Sequence, residues 1–128
     1  MTTCILVVED QEDNRQILRD LLNSADYEII EAEDGEEALA AVAKRRPDLI
    51  LMDIQLPILD GYEATRRIKA DPALRSIPII ALTSYALSGD EAKARAAGCD
   101  DYVAKPYSPR QLLSKVREYL ADANQVSC

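Results

Sequence analysis

Leu49-Ile50-Leu51-Met52-Asp53 is an apolar run stopped by an aspartate, and Ile54-Gln55-Leu56-Pro57 follows it. A short apolar run without period-two alternation reads as a strand buried on both faces. Asp53 then stands at the carboxyl end of that strand. An aspartate there is often a helix cap or a turn residue. Pro57, however, blocks an immediate helix, so Asp53 caps nothing adjacent, and its carboxylate is left for chemistry as a nucleophile or a metal ligand.

The same pattern recurs outward in both directions. Cys4–Val8, Tyr27–Glu31, Ile77–Leu82 and Tyr102–Ala104 are further short apolar runs. Between and after them lie segments with helical periodicity. Ile17, Leu18, Leu21 and Leu22 share a face of the first. Ala38, Leu39, Val42 and Ala43 share one in the second, and Ala64, Ile68 and Tyr62 one in the third. Ala92, Ala96 and Ala97 give the fourth a small apolar face, and Leu112, Leu113, Val116, Tyr119 and Leu120 line the fifth. Asp34-Gly35 turns into the second helix, Asp71-Pro72 ends the third, and Ser88 and Ser108 are N-caps, the latter with Pro109 at the first helical position. This is a (βα)₅ pattern: an α/β fold with a doubly wound parallel five-stranded sheet, helices on both faces and right-handed crossovers. One domain is expected over residues 1–121, with a short, frayed C-terminal tail over 122–128.

Bulk properties narrow the function. The 128 residues fit a single core, and a hydrophobic fraction of 48% is that of a globular chain. The net charge of −8 gives no footprint for nucleic acid and disfavours anionic membranes. No apolar stretch of about 18 residues spans a membrane. Met1-Thr2-Thr3 lacks the basic and apolar regions of a signal peptide, so a cytoplasmic location is expected. Cys4, Cys99 and Cys128 have no metal-ligand spacing; Cys4 and Cys99 read as buried thiols acting as small hydrophobes. With no histidine in the chain, it carries neither a phosphohistidine nor an imidazole base.

In a parallel α/β sheet, ligands bind outside the carboxyl ends of the strands. Glu9 and Asp10 close the first run, Asp53 the third, Thr83 the fourth, and Lys105, joined to Pro106, the fifth. These groups converge. Carboxylates packed closely repel one another unless a cation neutralises them. Mg²⁺ binds through one or two carboxylates plus waters and phosphate oxygens, so Glu9, Asp10 and Asp53 predict a weak Mg²⁺ site that gains ligands when phosphate arrives. A backbone carbonyl near Gln55 is a further oxygen. The Thr83 hydroxyl can donate to a phosphoryl oxygen, and Lys105 offers a compact charge to phosphate.

Asp10, Asp53, Thr83 and Lys105, with Leu56-Pro57, Asp60-Gly61 and Lys105-Pro106, resemble the signature of bacterial response-regulator receiver domains over nearly the whole chain. Val8-Glu9-Asp10-Gln11-Glu12-Asp13-Asn14-Arg15 and Gly98-Cys99-Asp100-Asp101-Tyr102 are similar to stand-alone and hybrid-kinase receivers, notably single-domain regulators of the DivK type. The resemblance implies a flavodoxin-like sheet of strand order 2-1-3-4-5 and Asp53 as phosphoacceptor. It implies Mg²⁺ held by Glu9, Asp10, Asp53 and the Gln55 carbonyl, with the phosphoryl group bound by Thr83 and Lys105. Thr83 and Tyr102 would form the switch, Gln55 and Tyr85 would tune dephosphorylation, a bulky Tyr85 slowing it, and the Lys105–Pro106 peptide would be cis.

The expected function is that of a response regulator in a two-component phosphorelay. It takes phosphate from a sensor histidine kinase or a histidine phosphotransfer protein and signals through a downstream protein target. It is not a turnover enzyme. The first helix is the candidate docking face for the donor, rimmed by Asn14, Arg15, Tyr107 and Ser108, and the output face is the fourth helix, fifth strand and fifth helix. Monomer or weak dimer is expected. A phosphate sink without an output surface is the alternative. An aspartyl phosphohydrolase fits less well, because such enzymes need a second acid two residues after the nucleophile and Gln55 stands there. A flavodoxin-like electron carrier fits poorly too, since Glu9-Asp10-Gln11-Glu12-Asp13 would repel flavin phosphate.

Overall fold

A computed structural model describes residues 3–54, 56, 58–83, 90–104 and 108–127, the side chains of 90, 91 and 121–127 excepted. The elements alternate as expected: β1 Cys4–Val8, α1 Glu12–Ser24, β2 Glu28–Ala32, α2 Gly35–Lys44, β3 Leu49–Asp53, α3 Gly61–Ala70, β4 Ile79–Thr83, α4 Asp90–Ala97, β5 Asp101–Ala104 and α5 Pro109–Ser127. All strand pairs are parallel, in the order β2-β1-β3-β4-β5.

The apolar runs lack alternation because both faces of the sheet are covered. Leu6, Val8, Ile50, Met52, Ile79 and Ala81 pack on one side with Ala38 and Val42 of α2, Ala64 and Ile68 of α3 and Ala94 of α4. Their neighbours Ile5, Val7, Leu49, Leu51, Ile80 and Leu82 face the other side, against Leu18 and Leu22 of α1 and Leu112, Val116 and Leu120 of α5. Successive residues of a strand point to opposite faces, so an unbroken apolar run supplies both cores. The three inner strands are buried throughout, whereas the edge strands β2 and β5 are only partly buried.

Side-chain caps start α2, α3 and α5, whereas Gln11 before α1 makes no side-chain cap bond. Asp34 accepts from the Glu37 amide at 2.8 Å, and Asp60 from the Glu63 amide at 2.9 Å. Ser108 accepts from the Gln111 amide at 3.4 Å, with Pro109 opening α5. Ser88 lies outside the described residues.

Several sequence expectations shift. β2 begins at Glu28 rather than Tyr27, and β4 at Ile79 rather than Ile77. Ile17 is 55% exposed, beside the buried Leu18–Leu22 stripe rather than on it. Ala43, Ala92 and Ala96 are exposed, and the inner face of α4 is Ala94 with Ala97. α5 continues through Ser127, so the segment read as a frayed tail is helical. Cys4 and Cys99 are buried and free, as read. Among the described residues no helix is long and apolar enough to cross a membrane.

Candidate functional site

The parallel register carries the acidic groups to one edge of the sheet. Val8 pairs with Met52, so the next residues of β1 and β3, Glu9 and Asp53, stand side by side. Asp53 in turn pairs with Leu82, and the Ile54 amide donates to the Leu82 carbonyl at 3.1 Å, placing Thr83 one residue beyond on β4. Thr83 pairs with Ala104, the last residue of β5. One carboxylate oxygen each from Glu9, Asp10 and Asp53 lies within 4.8 Å of the others. Glu9 is 1% exposed and Asp53 3%, while Asp10 is open to solvent.

This donor set suits a hard cation. It consists of oxygens only, they lie within 4.8 Å of one another, and its open side leaves room for the waters that Mg²⁺ keeps. Zinc is disfavoured, since the chain has no histidine and Cys4 and Cys99 lie in the cores or beside Thr65. Thr83 Oγ1 is buried and has no hydrogen-bond partner among the described residues. Buried hydroxyls are normally paired, which sets this one apart from the other buried polar groups of the strands.

Local structure fixes the loop behind Asp53. The Gly61 amide donates to the Ile54 carbonyl at 3.1 Å, and the Gly35 amide to the Leu59 carbonyl at 3.1 Å. The first residues of α2 and α3 thereby clamp the segment that follows the nucleophile candidate. Within it, Ile58 has φ +68° and is 75% exposed.

Glu9 is held from several sides. Its amide donates to the Ala32 carbonyl at 3.0 Å. Asn14 Nδ2 donates to Glu9 Oε1 at 2.6 Å, and Arg15 Nη1 to the Glu9 main-chain oxygen at 2.9 Å. Arg15 was expected to rim a docking surface, but it is 7% exposed. Its guanidinium also meets Glu12, Glu31 at 3.3 Å and Glu33 at 3.4 Å. Burial alone would lower its pKa; Glu12, Glu33 and Glu31 outweigh that and hold the guanidinium above its ordinary value. Hydrogen bonds from Arg15 and then Arg19 pull the Glu12 carboxyl below its own. The sequence signal was present: Arg15 lies three and seven residues before Leu18 and Leu22, on the same helix stripe.

Tyr102 is half-buried against the core on β5, at a cleft of about 480 Å³ whose rim includes Arg95, Asp101, Gln111 and Lys115. Gln55, Tyr85, Lys105, Pro106 and Tyr107 lie outside the described residues.

Comparison with known proteins agrees with this geometry. A family model described as response regulator receiver domain matches residues 5–117. A polar-differentiation response regulator DivK of Brucella ovis is 45% identical over 123 residues, covering 96% of this chain and 100% of that protein. The receiver domain of the sensor histidine kinase PA1611 of Pseudomonas aeruginosa, solved with magnesium coordinated in its active-site cleft, is similar at TM-score 0.88 and 40% identity, covering 94% of this chain and 99% of that one. The receiver domain of yeast Ssk1, solved with the histidine phosphotransfer protein Ypd1, is similar at TM-score 0.86 and 31% identity, covering 92% and 88%.

Proposed function

The chain belongs to the response regulator receiver family, and on that footing we propose that Asp53 is its phosphoacceptor and that phosphorylation switches its protein contacts. The observation that carries this reading is the meeting of the Glu9, Asp10 and Asp53 oxygens beside the buried Thr83 hydroxyl. A carboxylate is a competent covalent nucleophile for phosphoryl groups. The donor is a histidine kinase or a histidine phosphotransfer protein, as in the family, and docks over α1.

Asp53 attacks the phosphorus in line while the bond to the donor nitrogen breaks. Glu9, Asp10, Asp53 and the Gln55 carbonyl would hold Mg²⁺, which when bound neutralises charge on the transferring oxygens. Lys105 pairs with a phosphoryl oxygen. Thr83 donates its hydroxyl to another, so the buried oxygen gains a partner only in the phosphorylated state. Gln55 and Tyr85 set the access of water to the acyl phosphate, and so the lifetime of the signal.

Phosphorylation replaces a carboxylate with a more negative group rich in acceptor oxygens. As Thr83 moves toward those oxygens, the half-buried Tyr102 follows it inward, and the cleft between α4, β5 and α5 changes shape. This biases an existing equilibrium rather than creating a new state.

Intact mass after incubation with acetyl phosphate tests the acceptor. One phosphate on the wild type, absent without Mg²⁺ and absent from Asp53→Asn, is the expected result. A wild type and an Asp53→Asn protein labelled alike would reject Asp53. If acetyl phosphate labels neither, a phosphorylated kinase as donor replaces it, and failure there too would reject phosphotransfer.

A further inference from the structure

The contacts made by the dipeptide Asn14-Arg15 reach the acidic site itself, and we propose that these two are positioning residues that hold Glu9 in its metal-binding pose. The inference rests on the reading of Glu9, Asp10 and Asp53 as a Mg²⁺ site. Asn14 acts on the carboxylate, through its 2.6 Å donation to Oε1. Arg15 acts on the main chain, through its 2.9 Å donation to the Glu9 oxygen. With the Glu9 amide donating to Ala32, the residue is fixed at its backbone on both sides and at its carboxylate. Donors behind a metal ligand commonly set its orientation and the affinity of the site.

The buried guanidinium is itself pinned. Glu12 lies on the first turn of α1, Glu31 near the end of β2 and Glu33 just beyond it. Arg15 therefore locks three segments, the end of β1, the end of β2 and the start of α1, into one relative placement. Arg19 provides an internal comparison. It also pairs with Glu31 at 2.7 Å and Glu12 at 3.3 Å, and among the described residues none of its hydrogen bonds or ion pairs is with Glu9.

Position and charge make opposite predictions. A positive charge removed beside an acidic site leaves a more negative field, which alone would tighten cation binding. A loosened Glu9 would weaken it. Calorimetric titration of the unphosphorylated protein with Mg²⁺ separates the two without any phosphotransfer. Arg15→Met is expected to weaken Mg²⁺ binding about tenfold, with Arg15→Lys between it and the wild type. Asn14→Ala is expected to weaken it as well, and Arg19→Met to leave it unchanged. Unchanged or tighter binding in Arg15→Met overturns the proposal. So does equal weakening in Arg19→Met, which would mean a general loosening of α1. If Arg15→Met fails to fold, Asn14→Ala decides: wild-type affinity there overturns it. A wild type that binds no Mg²⁺ overturns the metal-site reading instead, and the proposal with it.

Discussion

Gly61 abuts the carbonyl of Asp53: a Cβ built on Gly61 would stand 2.4 Å from the Asp53 oxygen and 2.8 Å from the Ile54 Cα. Both neighbours are backbone, so neither can swing aside. The first residue of α3 is thus packed directly against the residue proposed to take the phosphoryl group, and the Gly61 amide bonds to the next carbonyl in line. The close approach explains why a glycine follows the cap Asp60, and it links helix placement to nucleophile placement.

Gly61→Ala therefore displaces the end of β3. The expected cost is about 1–3 kcal/mol in urea unfolding, the usual range for overpacking a filled site, together with slower phosphorylation from acetyl phosphate. A variant of wild-type stability and wild-type rate would show that the clamp does not fix Asp53.

Thr83→Val separates resting stability from switching. The Thr83 hydroxyl is buried with no partner among the described residues, and valine has nearly its shape. Removing an unpaired buried polar group is expected to stabilise the resting fold by up to about 1 kcal/mol. The same change removes the donor proposed for the phosphoryl oxygen. The stabilisation conferred by the phosphate analogue beryllofluoride should then fall relative to wild type. A variant that is less stable at rest, or that gains as much from the analogue, contradicts this role.

Most of the fold was legible because the inner strands are buried on both faces, which leaves an uninterrupted apolar signature. The runs stopped one residue short at Asp53 and Thr83, because hydrophobicity ends there while backbone pairing with Leu82 and Ala104 continues. The acids at the site were legible for the same reason: a charge that closes an inner strand must project at the sheet edge. The face of α4 was not, since Ala92, Ala94, Ala96 and Ala97 crowd one short helix and give hydrophobic periodicity nothing to choose between. Arg15 was misplaced because charge was read as exposure, although its spacing from Leu18 and Leu22 put it on the inner stripe. The backbone strain at Ile58 and the approach of Gly61 to Asp53 depend on how distant segments meet, which no local pattern encodes.

Ile58 offers a simple stability gain. A β-branched residue at φ +68° is a steric outlier costing about 1–2 kcal/mol. Its side chain is 75% exposed, so little packing offsets that strain. Asparagine tolerates this backbone region. Ile58→Asn is expected to stabilise the protein by about 1 kcal/mol in urea unfolding. A destabilised variant would mean that the exposed isoleucine makes a contact worth more than the strain.

The network at the start of β5 gives the protein two pH signatures of opposite sense. Burial alone would raise the Asp101 carboxyl, but hydrogen bonds from Lys115 Nζ, the Tyr102 amide and the Tyr119 hydroxyl outweigh it and hold the carboxyl below its ordinary value. A carboxyl depressed on folding contributes stability that is fully present above its unfolded pKa of about 3.9 and is lost as pH falls through the folded value. The stability gap between wild type and Asp101→Asn should therefore be wide at neutral pH and close in acid. Tyr119 behaves in reverse. Burial first, then the Asp101 charge and hydrogen bond, push its phenol up to about 12. A group raised on folding contributes stability present below its unfolded pKa of about 10, lost as pH rises through the folded value. Phenolate absorbance of the folded protein should show a late tyrosine ionising near the top of the alkaline range. Tyr119→Phe should remove that step, and Asp101→Asn should move it to lower pH. A late step that survives in Tyr119→Phe would assign it to another tyrosine and break the proposed link between α5 and the residue preceding Tyr102.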